Sequence, residues 1–135
     1  MERIIGLLVF AVLLITPSMC TAAEQQKLPA GFIALSESHM PNEDAVAFCK
    51  QRGGRLPRIN NSDSWDGKGE NIPIDGFGYV HRPWSEVGLP VDHYWTSTGH
   101  SDHQGQSWFV GAFGGSDVVV NNFHQRSSSR VACVP

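Results

Sequence analysis

Between Gln106 and Phe113 the chain alternates strictly. Trp108, Val110 and Ala112 fall on one face of an extended segment, and Phe109 and Phe113 on the other. A strand whose two faces are both apolar must be covered on both sides. Its neighbours have the same character. "HYWTST" (His93 to Thr98) is aromatic and β-branched, and "SDVVVNNF" follows Gly114-Gly115, a two-residue hairpin signal. "SRVACVP" supplies a last strand, and "GFIALS" (Gly31 to Ser36) a first one.

One segment follows the other period. Pro41 suits a first helical turn, Glu43 and Asp44 suit its positive end, and Ala45, Phe48 and Cys49 then share one face. Gly53-Gly54 stops that helix, and Pro57 makes the chain beyond it extended. From Asn60 to Pro90 neither period persists. The segment is rich in Gly, Pro, Asn and Asp, yet it carries Trp65, Phe77, Tyr79 and Trp84, too many aromatics for a solvated linker. It reads as an ordered, irregular excursion. The order of strand, helix, irregular segment and antiparallel strands predicts an α+β domain.

The start of the chain belongs to a different problem. Residues 1–23 have a short charged head, an apolar run from Ile4 to Ile15, and the small residues "TAA". That run falls short of the about 20 apolar residues a bilayer span needs, so the stretch reads as a secretory signal peptide, leaving residues 24–135 as one domain. Cys20 raises lipidation as the rival, although Pro17-Ser18-Met19 is bulkier than such sites take. Export predicts a secreted or cell-surface protein, with the periplasm as the alternative. It also leaves Cys49 and Cys133 as an even pair in an oxidising compartment, which predicts a disulfide. A nucleophilic Cys49 would need a base such as His124, and a zinc site would need clustered ligands; no local signature supports either. The 135-residue chain carries 10 Lys and Arg against 13 Asp and Glu, a net charge of −3, which gives nucleic acid no electrostatic hold.

Taken together, "DAVAFCKQRGGRLPRIN", "YWTST", "SWFV" and "RVACV" resemble the C-type-lectin-like domains of bacteria, above all those at the tips of invasin and intimin adhesins. Small bacterial domains with the cadence "RLP … YW(T/S)ST … W.V … CV" are similar too. The resemblance covers about Gly31 to Pro135. It implies a short helix, a twisted antiparallel sheet and a long irregular loop region, with the helix cysteine joined to one in the last strand. It also implies an adhesin-like binding module for a protein partner, a host receptor or a cognate bacterial surface protein. Rod and barrel are lacking, so the chain would work with an invasin- or intimin-type outer-membrane system as a separately exported, virulence-related subunit. Calcium-dependent sugar binders of this superfamily carry Glu-Pro-Asn or Gln-Pro-Asp and then Trp-Asn-Asp. Here the corresponding stretches read "ENIPIDGFG", "HRPWSEVGLP" and "SWFV", which lack the oxygen ligands calcium requires. Recognition is therefore expected without metal, with a carbohydrate-binding protein as the alternative.

The candidate contact residues are Trp65, Phe77, Tyr79 and Trp84 in the long segment, with His124 and Arg126 before the last strand. For the first four, core packing is weighed ahead of partner contact. His93, His100, Asp102 and His103 suggest a metal, but "HSDH" reads more simply as a polar loop between strands, and no cofactor is expected. No G-x-S-x-G elbow or phosphate loop is present. The acid pairs Asp63/Asp66 and Asp75/Glu86 sit where carboxylates ordinarily solvate turns, so the chain is not read as an enzyme. The enzymatic alternative is a relative of the formylglycine-generating type, whose chemistry demands unpaired cysteines.

Overall fold

A computed structural model describes residues 27–135; the signal-peptide and Cys20 readings lie outside them. The elements run β1 (Ala34–Leu35), α1 (Asn42–Gln51), β2 (Ser64–Trp65), β3 (Pro73–Ile74), β4 (Gly78–Tyr79), a 3-10 turn (Trp84–Glu86), β5 (His93–His100), β6 (His103–Gly111), β7 (Val119–His124) and β8 (Ala132–Cys133). The fold is α+β, mostly sheet with one helix. A four-stranded sheet of order β2-β5-β6-β7 forms the centre; β1 pairs with β8, and β3 with β4. Among the described residues no helix is long and apolar enough to cross a membrane.

The alternation in β6 decides the layering. Trp108, Val110 and Ala112 join Ile59 and, from the long segment, Trp65, Ile72, Ile74, Phe77, Trp84, Val87 and Leu89 in one core cluster. Phe109, from the opposite face, packs with Trp95, Ala45, Cys49, Leu56, Val131 and Cys133 in the other. The helix thus covers one face of the sheet and residues 60–90 cover the other. That segment is irregular in backbone, its strands only two residues long, but it builds one wall of the core.

Local chemistry sets the boundaries. No side chain caps the helix at Pro41, while Glu43 and Asp44 sit in its first turn as its dipole favours. It ends because Gly53 takes φ +77°, a left-handed conformation open to glycine, and the N–H groups of Gly53 and Gly54 close on Lys50 and Cys49 carbonyls. The first strand is shorter than the sequence predicts. Gly31 has φ +96° and the Phe32 N–H turns back to the Pro29 carbonyl, so pairing begins only where the Ile33 N–H reaches Cys133. Nor does Gly114-Gly115 close a two-residue hairpin. Ala112 and Val118 are buried, and Ser116 and Asp117 reach across to Trp84 and Pro83, so the β6–β7 connection is stretched over the 3-10 turn.

The two ends of the domain meet. Ala34 pairs with Cys133 and Leu35 with Ala132, and Cys133 is disulfide-bonded to Cys49 on the helix. Both cysteines are fully buried. Tyr94 is buried on the opposite face of the sheet, its hydroxyl donating to the Pro90 carbonyl at 2.7 Å. Burial pushes its phenol up to about 12, with Asp92 adding to the rise and Arg130 opposing it. The folded value lies above the ordinary 10.0, so neutral Tyr94 contributes stability that is complete below pH 10 and lost as pH rises through about 12. Phenolate absorbance of the native protein should show a tyrosine ionising last, near that pH, and Tyr94→Phe should remove the step; a step unchanged in Tyr94→Phe would assign it elsewhere.

Candidate functional site

The helix N-terminus is held against the far end of the β6–β7 pair. The Asn42 N–H donates to the Gln125 carbonyl at 3.0 Å, and the Asn42 side-chain amide donates to the Thr96 carbonyl at 3.2 Å. Gln125 is fixed in turn by its N–H on Gly105 and its side chain on Ser107. Docking a helix end on a turn leaves an open cleft of about 610 Å³, lined by Pro41, Asn42, Glu43, Asp44, Gly105, His124, Gln125 and Arg126. Glu43 and Asp44 form one wall; His124 and Arg126 form the other. The cleft presents opposite charges across a gap whose backbone is braced from both sides.

Of the six residues chosen from sequence as partner contacts, His124 and Arg126 line this cleft and are exposed. Tyr79 is exposed elsewhere, at 47%. The other three require correction. Trp65, Phe77 and Trp84 are 8%, 0% and 5% exposed and belong to the core. The Trp65 and Trp84 indole N–H groups are spent internally, on the Lys68 and Leu89 carbonyls, and Phe77 is ringed by Phe32, Trp84 and Tyr94. A partner does not reach them.

The histidine group proposed from sequence separates. His93 opens β5 and His100 closes it. His100 and His103 meet at the β5–β6 turn with ring centroids 4.4 Å apart, but His100 Nδ1 accepts the Asp102 N–H and its ring stacks on Trp108. Instead, His93 lies with Asp92 and His39, and among the described residues these three bring ligand atoms within 4.8 Å of one another. His39 Nε2 donates to Asp92 Oδ1 at 2.8 Å, and His93 Nε2 is 3.9 Å from the same oxygen. Burial opposes charge on Asp92, but the hydrogen bonds from His39 and the His93 backbone N–H outweigh it and hold the carboxyl below its ordinary range. Burial lowers the His93 imidazole, against the raising pull of Asp92. Sequence analysis missed His39 and Asp92, which are 53 positions apart.

Of the paired acids weighed from sequence, three are tied to arginines, Asp63 to Arg58, Asp75 to Arg55 and Glu86 to Arg82, while Asp66 Oδ1 accepts the Lys68 N–H. Cys49 and Cys133 are bonded to each other, so neither is a thiol. Compared with known proteins, the chain matches no family model, no curated protein and no solved structure.

Proposed function

We propose that this protein is an exported binding module of the C-type-lectin-like kind, related to adhesin tips. It recognises a protein partner, a host receptor or a cognate bacterial surface protein, through the cleft at the helix N-terminus. The observation that carries this reading is the cleft itself: a braced, open trough with acidic and basic walls, built where the helix end meets the turn that follows β7. A trough of that polarity suits a polar peptide segment, because charges of both signs set register and orientation rather than mere attraction. Further support comes from a helix-to-last-strand disulfide and a long irregular region over one sheet face, both features the sequence resemblance implies. The engaged cysteines weigh against the formylglycine-generating alternative, which needs free thiols.

The test is comparative capture. Immobilised wild type should retain a host-surface or bacterial-surface protein that the double variant His124→Ala/Arg126→Glu binds at least about 10-fold more weakly, the size of a modest hot spot. Both side chains are exposed, so the variant's melting temperature should equal that of wild type. Equal capture by the two proteins, or binding only to free glycans, would sink the reading.

A further inference from the structure

We propose that His39, Asp92 and His93 form a binding site for a divalent transition-metal ion, zinc foremost, with two imidazoles and one carboxylate as its ligands. The argument begins with how the three are brought together. Met40 and Ser129 exchange backbone hydrogen bonds at 2.8 and 3.0 Å, which fixes the chain on the C-terminal side of His39. The Arg130 N–H donates to the His93 carbonyl at 3.0 Å, which ties the start of β5 to the same segment. Residues 129 and 130 therefore act as a clip holding His39 beside His93. Gly111 pairs with His93, and a Cβ at that position would come within 2.8 Å of the Asp92 carbonyl oxygen and 3.1 Å of His93 Cα. The close approach of the Asp92–His93 backbone depends on that missing side chain.

The ring of His93 is oriented before any ion arrives. Its Nδ1 is 2.7 Å from the hydroxyl of Ser129, a buried residue, and its faces meet Phe109 and Phe113 with centroids 5.2 and 6.3 Å away. With Nδ1 engaged, Nε2 is left to point toward Asp92. A hydroxyl or carbonyl on the distal nitrogen is the usual device for fixing a ligating histidine. Asp92 is oriented as well, since its Oδ1 accepts the His93 backbone N–H at 2.8 Å.

The spacing fits the ion. Zinc bonds of about 2.0–2.1 Å in a tetrahedral site place ligand atoms roughly 3.3 Å apart. The existing separations of 2.8 and 3.9 Å, within a group spanning 4.8 Å, straddle that value. Side-chain rotation suffices, because the His39 and His93 side chains are 44% and 36% exposed. Binding breaks the hydrogen bond between His39 Nε2 and Asp92; the neutral ring changes tautomer, its proton passing through solvent from Nε2 to Nδ1, and the freed Nε2 lone pair and the carboxylate oxygen bond the metal. Two imidazoles and one carboxylate suit zinc, copper or nickel, whereas calcium needs six to eight oxygens and magnesium an octahedron of them. The remaining coordination position faces solvent and takes water or a side chain from another molecule. These ligands are distinct from the cleft-lining residues, so failure here leaves the recognition proposal standing, and the reverse.

Calorimetric titration of the untagged, disulfide-bonded protein with zinc chloride tests it. One equivalent should bind, with no comparable heat from calcium or magnesium chloride. His39→Ala and Asp92→Asn should each weaken binding more than about 100-fold, and Ser129→Ala, which frees the His93 ring, by roughly 10–100-fold at unchanged stoichiometry. Should a variant lose its fold, the visible spectrum of wild type loaded with Co²⁺ decides: strong bands of a four- or five-coordinate centre are expected, and a weak six-coordinate spectrum overturns the site. No zinc heat in wild type, undiminished binding in both ligand variants, or loss only in His100→Ala or His103→Ala would overturn it equally.

Discussion

Replacing Cys49 and Cys133 together by alanine should lower the unfolding free energy by at least about 4–5 kcal/mol, the value the chain-entropy model gives for the crosslink alone in a closed loop of this length. The crosslink joins positions 84 residues apart. In the unfolded chain it removes the configurations in which helix and last strand wander independently. In the folded chain both cysteines are fully buried among Ala45, Leu56, Trp95, Phe109 and Val131. Alanine leaves space where the sulfurs were, which adds to the loss. Urea denaturation at neutral pH with and without reductant separates the two contributions: reduction of wild type gives the crosslink alone, and the double variant adds the packing. For a domain whose whole stability falls in the ordinary range of about 5–15 kcal/mol, this is a large share. Native protein should also fail to react with a thiol reagent at Cys49 or Cys133 until denatured. Rapid labelling without denaturant, or a change below about 1 kcal/mol on reduction, would refute the structural role.

That pairing was legible because counting the cysteines of a chain read as exported needs no geometry. The same holds for the helix, where Pro41, Glu43, Asp44 and Gly53 act within a turn or two of their own positions. The two faces of β6 were legible too: a period of 2 states which side chains point together, and Trp108 and Phe109 do sit in different clusters. Direction in the long segment was not. Without a period, nothing local says whether an aromatic turns inward, and Trp65, Phe77 and Trp84 could be assigned only once Trp108 and Tyr94 were seen beneath them. Strand β2 shows the same limit, since Ser64 and Trp65 run parallel to Gly99 and His100 by a pairing that no hairpin signal announces. The His39–Asp92–His93 group was hidden for the same reason. It exists only because the Met40–Ser129 bridge draws distant segments together, while sequence proximity favoured His100 and His103. His124 and Arg126 were found because they lie in a polar connection, but the wall facing them comes from the helix.

Phe77→Ala should cost about 3–5 kcal/mol, whereas Tyr79→Ala, two residues along, should stay within about 0.5 kcal/mol of wild type. The contrast follows from where one irregular turn points its side chains. Phe77 is fully buried; its ring meets Phe32 edge-on at 5.2 Å, Tyr94 at 5.8 Å and Trp84 at 6.0 Å. Truncation removes the hub of that aromatic group and leaves a void that β3 and β4, two residues each, are too short to collapse into. Gly76 reinforces the arrangement. Its φ of +76° is a left-handed conformation, and any Cβ there would meet the Phe32 ring at 2.5 Å, so even Gly76→Ala should destabilise by strain and by displacing Phe32. Tyr79 projects the other way and is 47% exposed. Paired urea melts of Phe77→Ala and Tyr79→Ala measure the difference directly. If the two variants lost similar stability, residues 60–90 would be a surface loop rather than the second wall of the core. If only Phe77→Ala unfolds the protein, partner-binding assays on truncations of the buried aromatics, Trp84→Ala included, report folding, and recognition must be sought at His124, Arg126 and Tyr79.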